Sequence, residues 1–224
     1  MNEEILNYYN NLAGNYDESR FGNEYGEFID IQETNLVKRL FNHVSQEKVL
    51  DIGCGTGRFL EFADYGIDAS TEMLKVAKIK YPSRNLFVED AANTHFEDSF
   101  FDIVISFHLL MHLDEPTTRL ILDEAYRILK KGGKLIFDVP SEKRRKIIHY
   151  KANGWHGANA FTTKKILDLT RNHWKLINYY GIVFLPVHRI SPKLRKRIIT
   201  LDTKLCNSFL KEYASYLVFY LEKI

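Results

Sequence analysis

Three glycines in five residues, Gly53, Gly55 and Gly57, follow a short apolar run that ends in Asp51-Ile52. A residue without Cβ tolerates positive φ and lets a ligand lie directly on the backbone. The segment VLDIGCGTGRF (49–59) therefore reads as a strand end that cradles a polar ligand, with a helix beginning near Gly57 whose free N–H groups face it. A phosphate loop needs a longer spacing and a terminal Lys-Ser/Thr, and the dinucleotide fingerprint is G-x-G-x-x-G; the spacing here is G-x-G-x-G. Asp68 ends the next strand, in DYGIDAS (64–70), after a short intervening helix. A carboxylate there can accept hydrogen bonds from both hydroxyls of a ribose and would repel a 2′-phosphate. The plain alternative is a surface Asp that caps the following helix. Asp90 ends NLFVED (85–90), where it can accept from an adenine amino group while the next backbone N–H donates to the ring; a turn Asp is the alternative. Together these residues place a glycine cradle, a ribose acceptor and an adenine acceptor on successive strand ends.

The elements that must position them alternate. Residues 1–45 read as helical, with Phe28, Ile31, Leu36, Leu40 and Phe41 near one face. KVLDI (48–52), NLFVED (85–90), FDIVISF (101–107), KLIFDV (134–139), the start of 174–187 and ASYLVFYLEK read as strands. Helices are expected over 70–80, with Ser70 as N-cap and Glu72 and Lys75 on its polar side. Another runs from Asp114-Pro116 to Gly132-Gly133 along Leu122, Ala125, Ile128 and Leu129. Two more cover 161–173 and the stretch opened by Ser191-Pro192, whose Leu194, Ile198, Leu201, Leu205 and Phe209 fall on one side. Such alternation implies an α/β fold: a Rossmann-like, doubly wound, mostly parallel sheet with helices on both faces. Ligands of such sheets bind beyond the carboxyl ends of the strands, where strand order reverses.

A chain of 224 residues suits one such domain. We read 1–224 as a single unit, with helices over 1–45, the core over 46–187 and a C-terminal helix and strand over 188–224. The apolar fraction, 45%, is ample for a core. The net charge of +2, from 31 basic against 29 acidic residues, gives no reason to expect nucleic acid as a partner. Cys54 and Cys206 lie far apart and form no disulfide framework, which fits a reducing compartment. The opening MNEEILNYYN has no signal-like apolar stretch, and runs such as YLVFYL (216–221) fall far short of a membrane span, so a cytoplasmic protein is expected.

DIGCGTGRF, IDAS-x-x-ML, EDA, FDIVISFHLLMHL and RILKKGGKLIF, in this order over roughly 46–140, resemble the class I S-adenosylmethionine-dependent methyltransferase superfamily. YYNNLAGNYDESRF also resembles the N-terminal helical lid of its small-molecule members. The resemblance implies that Gly53, Gly55 and the Cys54 backbone face the methionine portion of S-adenosylmethionine, with Asp51 organising the loop. Asp68 would hold the ribose, Ala69 and Met73 would flank the adenine, and Asp90 and Ala91 would read its edge. Ser106 and Phe107 would offer backbone groups to the amino acid moiety, and Tyr16 and Arg20 would close over the cofactor. Lys131, where many relatives carry proline, is a surface difference.

A sulfonium makes its methyl group an electrophile, so transfer needs a nucleophile held in line and a base only where the acceptor is protonated. His108 and His112 follow the fourth strand, and His156 lies in HYKANGWHGANAF (149–161) beside Trp155, with His149 a weaker candidate. A packing or capping role is the alternative for each. No Asn/Asp-Pro-Pro-aromatic motif for a flipped base occurs, no cysteine follows the fourth strand, and no cluster has convincing metal-ligand spacing. The basic runs SEKRRK (141–146) and HRISPKLRKR (188–197) read either as solvated helix faces or as attractors of an anionic acceptor. The expected function is methyl transfer to an oxygen or nitrogen of a small molecule. An RNA-modifying enzyme and a non-catalytic S-adenosylmethionine-binding module are the alternatives. The sequence leaves the oligomeric state open.

Overall fold

The computed structural model describes residues 3–41, 47–152 and 154–224, so the expected boundary at 45/46 lies outside the described residues. Three helices open the chain: α1 (Glu3–Leu12), α2 (Tyr16–Phe21) and α3 (Glu24–Phe41). Asn23 starts α3 by accepting the Gly26 N–H on its side-chain oxygen at 2.9 Å. Gly26 is required for a packing reason: a Cβ there would stand 1.8 Å from the Arg20 carbonyl, so α2 and α3 can meet only at a glycine.

Seven strands follow: β1 (Val49–Ile52), β2 (Tyr65–Asp68), β3 (Asn85–Val88), β4 (Phe101–Ser106), β5 (Leu129–Pro140), β6 (Trp174–Ile182) and β7 (Tyr216–Lys223). Between them lie α4 (Thr71–Lys80), α5 (Glu115–Ile128), α6 (Glu142–Ile147), α7 (Thr163–Thr170) and α8 (Pro192–Cys206). The sheet order is β3-β2-β1-β4-β5-β7-β6; β1 to β5 pair in parallel, and β7 runs antiparallel to both neighbours. The chain thus winds outward from β1 to β3, returns to β4 on the other side of β1, and opens a crevice at the β1/β4 carboxyl ends.

Period-two alternation splits the strands between two cores. Leu50, Ile52, Val104, Leu135, Phe137, Val139, Leu217 and Phe219 pack with Ile121, Leu122, Ala125 and Ile128 of α5 and Ile166 of α7 on one face. Val49, Ile103, Ile105, Ile136 and Val218 pack on the other with Phe28, Ile29, Leu36 and Val37 of α3 and Leu74 and Ala77 of α4. Each fully buried Leu, Ile, Val or Phe contributes about 1.5–3 kcal/mol of burial. The two clusters therefore fix the height of every strand end.

Four expectations change. Residues 53–62 form consecutive turns, with Gly57 N–H on the Cys54 carbonyl and Leu60 N–H on the Gly57 carbonyl, and the helix expected near Gly57 is not formed. The glycine-rich segment is too short and too left-handed to propagate i→i−4 bonding. Helix α5 ends at Ile128, before Gly132-Gly133, because Leu129 already pairs with Phe101 in β5. The stripe expected to bury α8 is divided: Ile198 and Leu205 are half-buried, but Leu194 and Leu201 are 48% and 54% exposed, Phe209 lies beyond the helix end, and Asp202 and Cys206 are the buried residues. Asp202 sets the buried face because its carboxylate accepts the backbone N–H groups of Phe184 and Leu185 and a side-chain bond from Gln32 at 2.7 Å. Last, the terminal strand is no appendage: β7 inserts between β5 and β6.

Candidate active site

Beyond the β1, β2 and β4 ends lies a cleft of about 870 Å³. Eleven of the sequence-selected residues line it: Tyr16, Gly53, Gly55, Asp68, Ala69, Met73, Asp90, Ala91, Phe107, His108 and His112. Asp51 and Cys54 line an adjoining cavity of about 350 Å³, which shares Tyr16, Gly53, Gly55, Phe107 and His108 with the first. Arg20, Ser106 and His156 line neither.

The glycine loop is held from below. Gly53 and Cys54 donate to the Ile67 carbonyl at 2.8 and 3.0 Å, and Gly55 donates to Asp68 Oδ2 at 2.9 Å. Gly53 has φ +72°, and a Cβ there would crowd Leu109 at 3.1 Å, so only glycine keeps both the turn and the cleft floor. Asp68 Oδ1 accepts the Ser70 N–H at 2.8 Å, and Ser70 caps α4 through the Met73 N–H. The ribose-acceptor position and the capping position thus coincide on consecutive residues. Burial pushes Asp68 upward against the backbone N–H groups of Ser70 and Gly55. Burial, with the Asp68 charge beside it, pushes Asp51 up to about 8. Asp51, buried, and Asp68, half-buried, favour a ligand that brings positive charge or several donors. Asp90 also accepts the Ala92 N–H at 2.9 Å, so it shapes a turn while lining the cleft.

Cys54 is buried against Gly66, and burial raises its thiol well above the ordinary range, as suits a filler. The Ser106 hydroxyl donates to the Ile52 carbonyl at 3.0 Å and ties β4 to β1. Phe107 packs on Phe59 at 4.6 Å.

The N-terminal helices are fastened over this floor. Ser70 bonds Asn10 at 2.6 Å, Thr56 bonds Asp17 at 2.6 Å, and Lys80 pairs with Asp17 at 2.7 Å. Arg58 binds Asp30 at 2.7 Å and Glu33 at 2.5 Å, joining α3 to the glycine loop. Arg20 hydrogen-bonds Tyr16 and lies within electrostatic reach of Tyr9 and Tyr216.

The histidines are more constrained than their spacing suggests. The Gly157 N–H donates to His112 Nδ1 at 3.1 Å, so that nitrogen carries no proton in the neutral ring. His112 Nε2 then holds the proton and donates to the Tyr9 hydroxyl at 2.8 Å, leaving the Tyr9 O–H to donate elsewhere. Burial and the neighbouring His156 and Arg20 push His112 down to about 3. His108 has φ +58°; its Nε2 is 3.1 Å from Glu33 Oε2, its Nδ1 3.5 Å from Asp138 Oδ2, and its backbone N–H donates to Asp138 Oδ1 at 2.6 Å. Burial alone would lower His108, but the two carboxylates raise it. Neither ring presents a free nitrogen to the cleft, which removes the geometry a direct base needs. The His156 ring lies tilted 4.8 Å from that of His112 and edge-on 5.3 Å from that of Trp155, behind the cleft wall.

Sequence reasoning missed Tyr9, Leu109, Glu33 and Asp138. For the two acids a signal existed: each interrupts an apolar face, Glu33 in α3 and Asp138 in β5, and both are buried.

A family model described as "Methyltransferase domain" matches residues 50–137. An uncharacterised protein of Methanocaldococcus jannaschii is 30% identical over 98% of this chain and 91% of its own length. A demethylmenaquinone methyltransferase of Renibacterium salmoninarum is 31% identical over 60% of this chain, which spans 57% of that protein. Among solved structures, a Thermotoga maritima protein described as an S-adenosylmethionine-dependent methyltransferase, possible histamine N-methyltransferase, aligns over 93% of this chain and 99% of its own. Its TM-score is 0.65 and its identity 24%.

Proposed function

This chain belongs to the class I S-adenosylmethionine-dependent methyltransferase superfamily, and from that premise we propose that it methylates an oxygen or nitrogen of a small acceptor. The observation that carries the reading is the two-part cleft: buried Asp51, half-buried Asp68 and the Gly53–Gly55 turns on one side, and Tyr9, His108 and His112 on the other.

When bound, S-adenosylmethionine supplies a methyl group activated by its sulfonium. The cationic amino acid end suits the cavity of Asp51, Gly53 and Gly55, and Asp68 suits the ribose hydroxyls. Ala69, Met73, Asp90 and Ala91 suit the adenine, beside Leu109, Leu113 and Ile121. Positive charge beside Asp51 would draw off the proton that burial retains there. Tyr9, held by the Nε2–H of His112, offers an O–H donor that orients the acceptor. Arg20, half-buried beside Tyr16 and within electrostatic reach of Tyr9, His112 and His156, is the group we assign to an anionic substituent of the ligand. With neither His108 nor His112 free to take a proton, the chain contributes chiefly orientation and exclusion of water, and the acceptor's proton leaves to solvent.

A small acceptor is favoured over RNA in part because three cations of the first basic run have partners within the chain. Lys143 pairs with Glu212, Lys146 with Glu142, and Arg145 donates to the Gly157 and Asn159 carbonyls. Among the described residues no helix is long and apolar enough to cross a membrane.

The test is incubation with methyl-labelled cofactor and fractionated cell extract, followed by mass spectrometry. A labelled metabolite below about 1 kDa supports the proposal. Label found only in RNA, or in nothing while the cofactor binds, refutes it.

A further inference from the structure

The cluster behind the cleft wall contains more negative charge than a nucleoside site needs. Glu33 comes from α3, His108 from the turn after β4, and Asp138 from β5. One donor atom from each lies within 4.8 Å of the other two. Glu33 and Asp138 are 0% and 1% exposed. Their Oε1 and Oδ2 atoms are buried without a hydrogen-bond partner, the latter meeting His108 Nδ1 only at 3.5 Å. Unpartnered carboxylate oxygens in a dry interior are costly unless something cationic reaches them.

Charge counting names the missing partner. Arg58 is shared between Asp30, at 2.7 Å, and Glu33, at 2.5 Å. Three carboxylates therefore meet one guanidinium and one imidazole, which even as imidazolium leaves one carboxylate uncancelled. A dication with neutral His108 closes the balance. A ligand set of one imidazole nitrogen and two carboxylate oxygens matches borderline ions rather than Mg²⁺ or Ca²⁺, which favour oxygen throughout.

We propose that Glu33, His108 and Asp138 form a binding site for a divalent transition-metal ion such as Mn²⁺, Fe²⁺, Co²⁺ or Zn²⁺. With bonds of about 2.0–2.2 Å, neighbouring ligand atoms stand roughly 3–3.5 Å apart. To grip the ion the three side chains close in by about an ångström and the His108 ring turns, since Nε2 now faces Glu33 and Nδ1 faces Asp138. His108 lines both cavities and Glu33 and Asp138 line neither, so the ion stands behind the wall against which the proposed acceptor lies. From there its charge would lower the pKa of an acceptor hydroxyl through that wall rather than by direct ligation. The ligands come from positions 33, 108 and 138, so no local spacing reveals them.

The test uses the full chain, freed of metal by chelation and titrated with Mn²⁺ under electron paramagnetic resonance. Wild type should bind one Mn²⁺ per chain and show ¹⁴N coupling from one imidazole in pulsed spectra. Glu33→Gln and Asp138→Asn should each weaken binding at least about 100-fold, since losing even an outer partner of a metal ligand costs about 10- to 100-fold. S-Adenosylhomocysteine calorimetry on the same samples checks that the variants fold, and it separates failure of the metal site from failure of the cofactor reading. No uptake by wild type up to millimolar Mn²⁺, bound Mn²⁺ without ¹⁴N coupling, or equal uptake by folded variants overturns the proposal.

Discussion

The two halves of the cleft are built in different ways. The half we assign to the cofactor is made by consecutive strand ends and tight turns: Gly53 to Gly55 after β1, Asp68 to Ser70 after β2, Glu89 to Ala91 after β3. Its polar contacts are short-range or backbone-mediated, such as Gly55 N–H on Asp68 and Ser70 N–H on the same carboxylate. The half we assign to the acceptor is assembled from distant elements. Tyr9 meets His112 across 103 residues, and Glu33 meets His108 across 75. A site made of strand ends is fixed by the fold itself, whereas one made of lid, loop and helix can change its chemistry without disturbing the sheet.

The sharpest way to break this division is Asp68→Ala. If the carboxylate serves the ribose, two charge-assisted hydrogen bonds disappear, each worth about 1.5–3 kcal/mol. Calorimetry with S-adenosylhomocysteine should then show affinity falling by roughly 10²- to 10⁴-fold. An unchanged titration would mean that Asp68 only braces Gly55 and Ser70, and the cofactor half would lose its anchor.

Tyr9→Phe probes the other half and should leave the first alone. It removes only the O–H that His112 orients; the ring contacts with Tyr8 and Trp155 remain. We expect kcat on the identified acceptor to fall about 10- to 100-fold, in line with loss of one aimed donor, and cofactor affinity to stay within about twofold. A fall in cofactor affinity equal to the fall in kcat would merge the two halves into one.

Legibility followed the same division. The glycine spacing, Asp68 and Asp90 were readable because each follows its strand within a few residues, and the alternating apolar pattern set the strands at the right heights. The face of α8 was misread because Asp202 makes buried polar bonds that outweigh the exposure of Leu194 and Leu201. His108 and His112 were visible as histidines but not as occupied ones. What occupies them, Gly157, Tyr9, Glu33 and Asp138, arrives through tertiary packing that no local pattern encodes.

The smallest effect concerns the cost of the cofactor half to stability. Asp51 is raised to about 8 in the fold by burial and by Asp68, against about 3.9 in an unfolded chain. The folded state therefore holds a proton that the unfolded state releases, and the stabilisation this brings is complete below about pH 4 and lost as pH climbs through about 8. Asp51→Asn keeps the shape and cannot ionise, so without cofactor it should melt several degrees above wild type at pH 8, with the gap shrinking toward pH 5. Thermal melts at pH 5, 6.5 and 8 measure it directly, and a pH-independent gap would show that Asp51 does not titrate there. The same variant should bind S-adenosylhomocysteine more weakly, because the charge that destabilises the empty fold is the charge proposed to attract the cofactor's cationic end. Such opposite signs are expected only where strand ends hold a buried acid for a ligand, and they would set this half apart from the acceptor half, where Glu33 is held low by His108 and Arg58 against the effect of its burial.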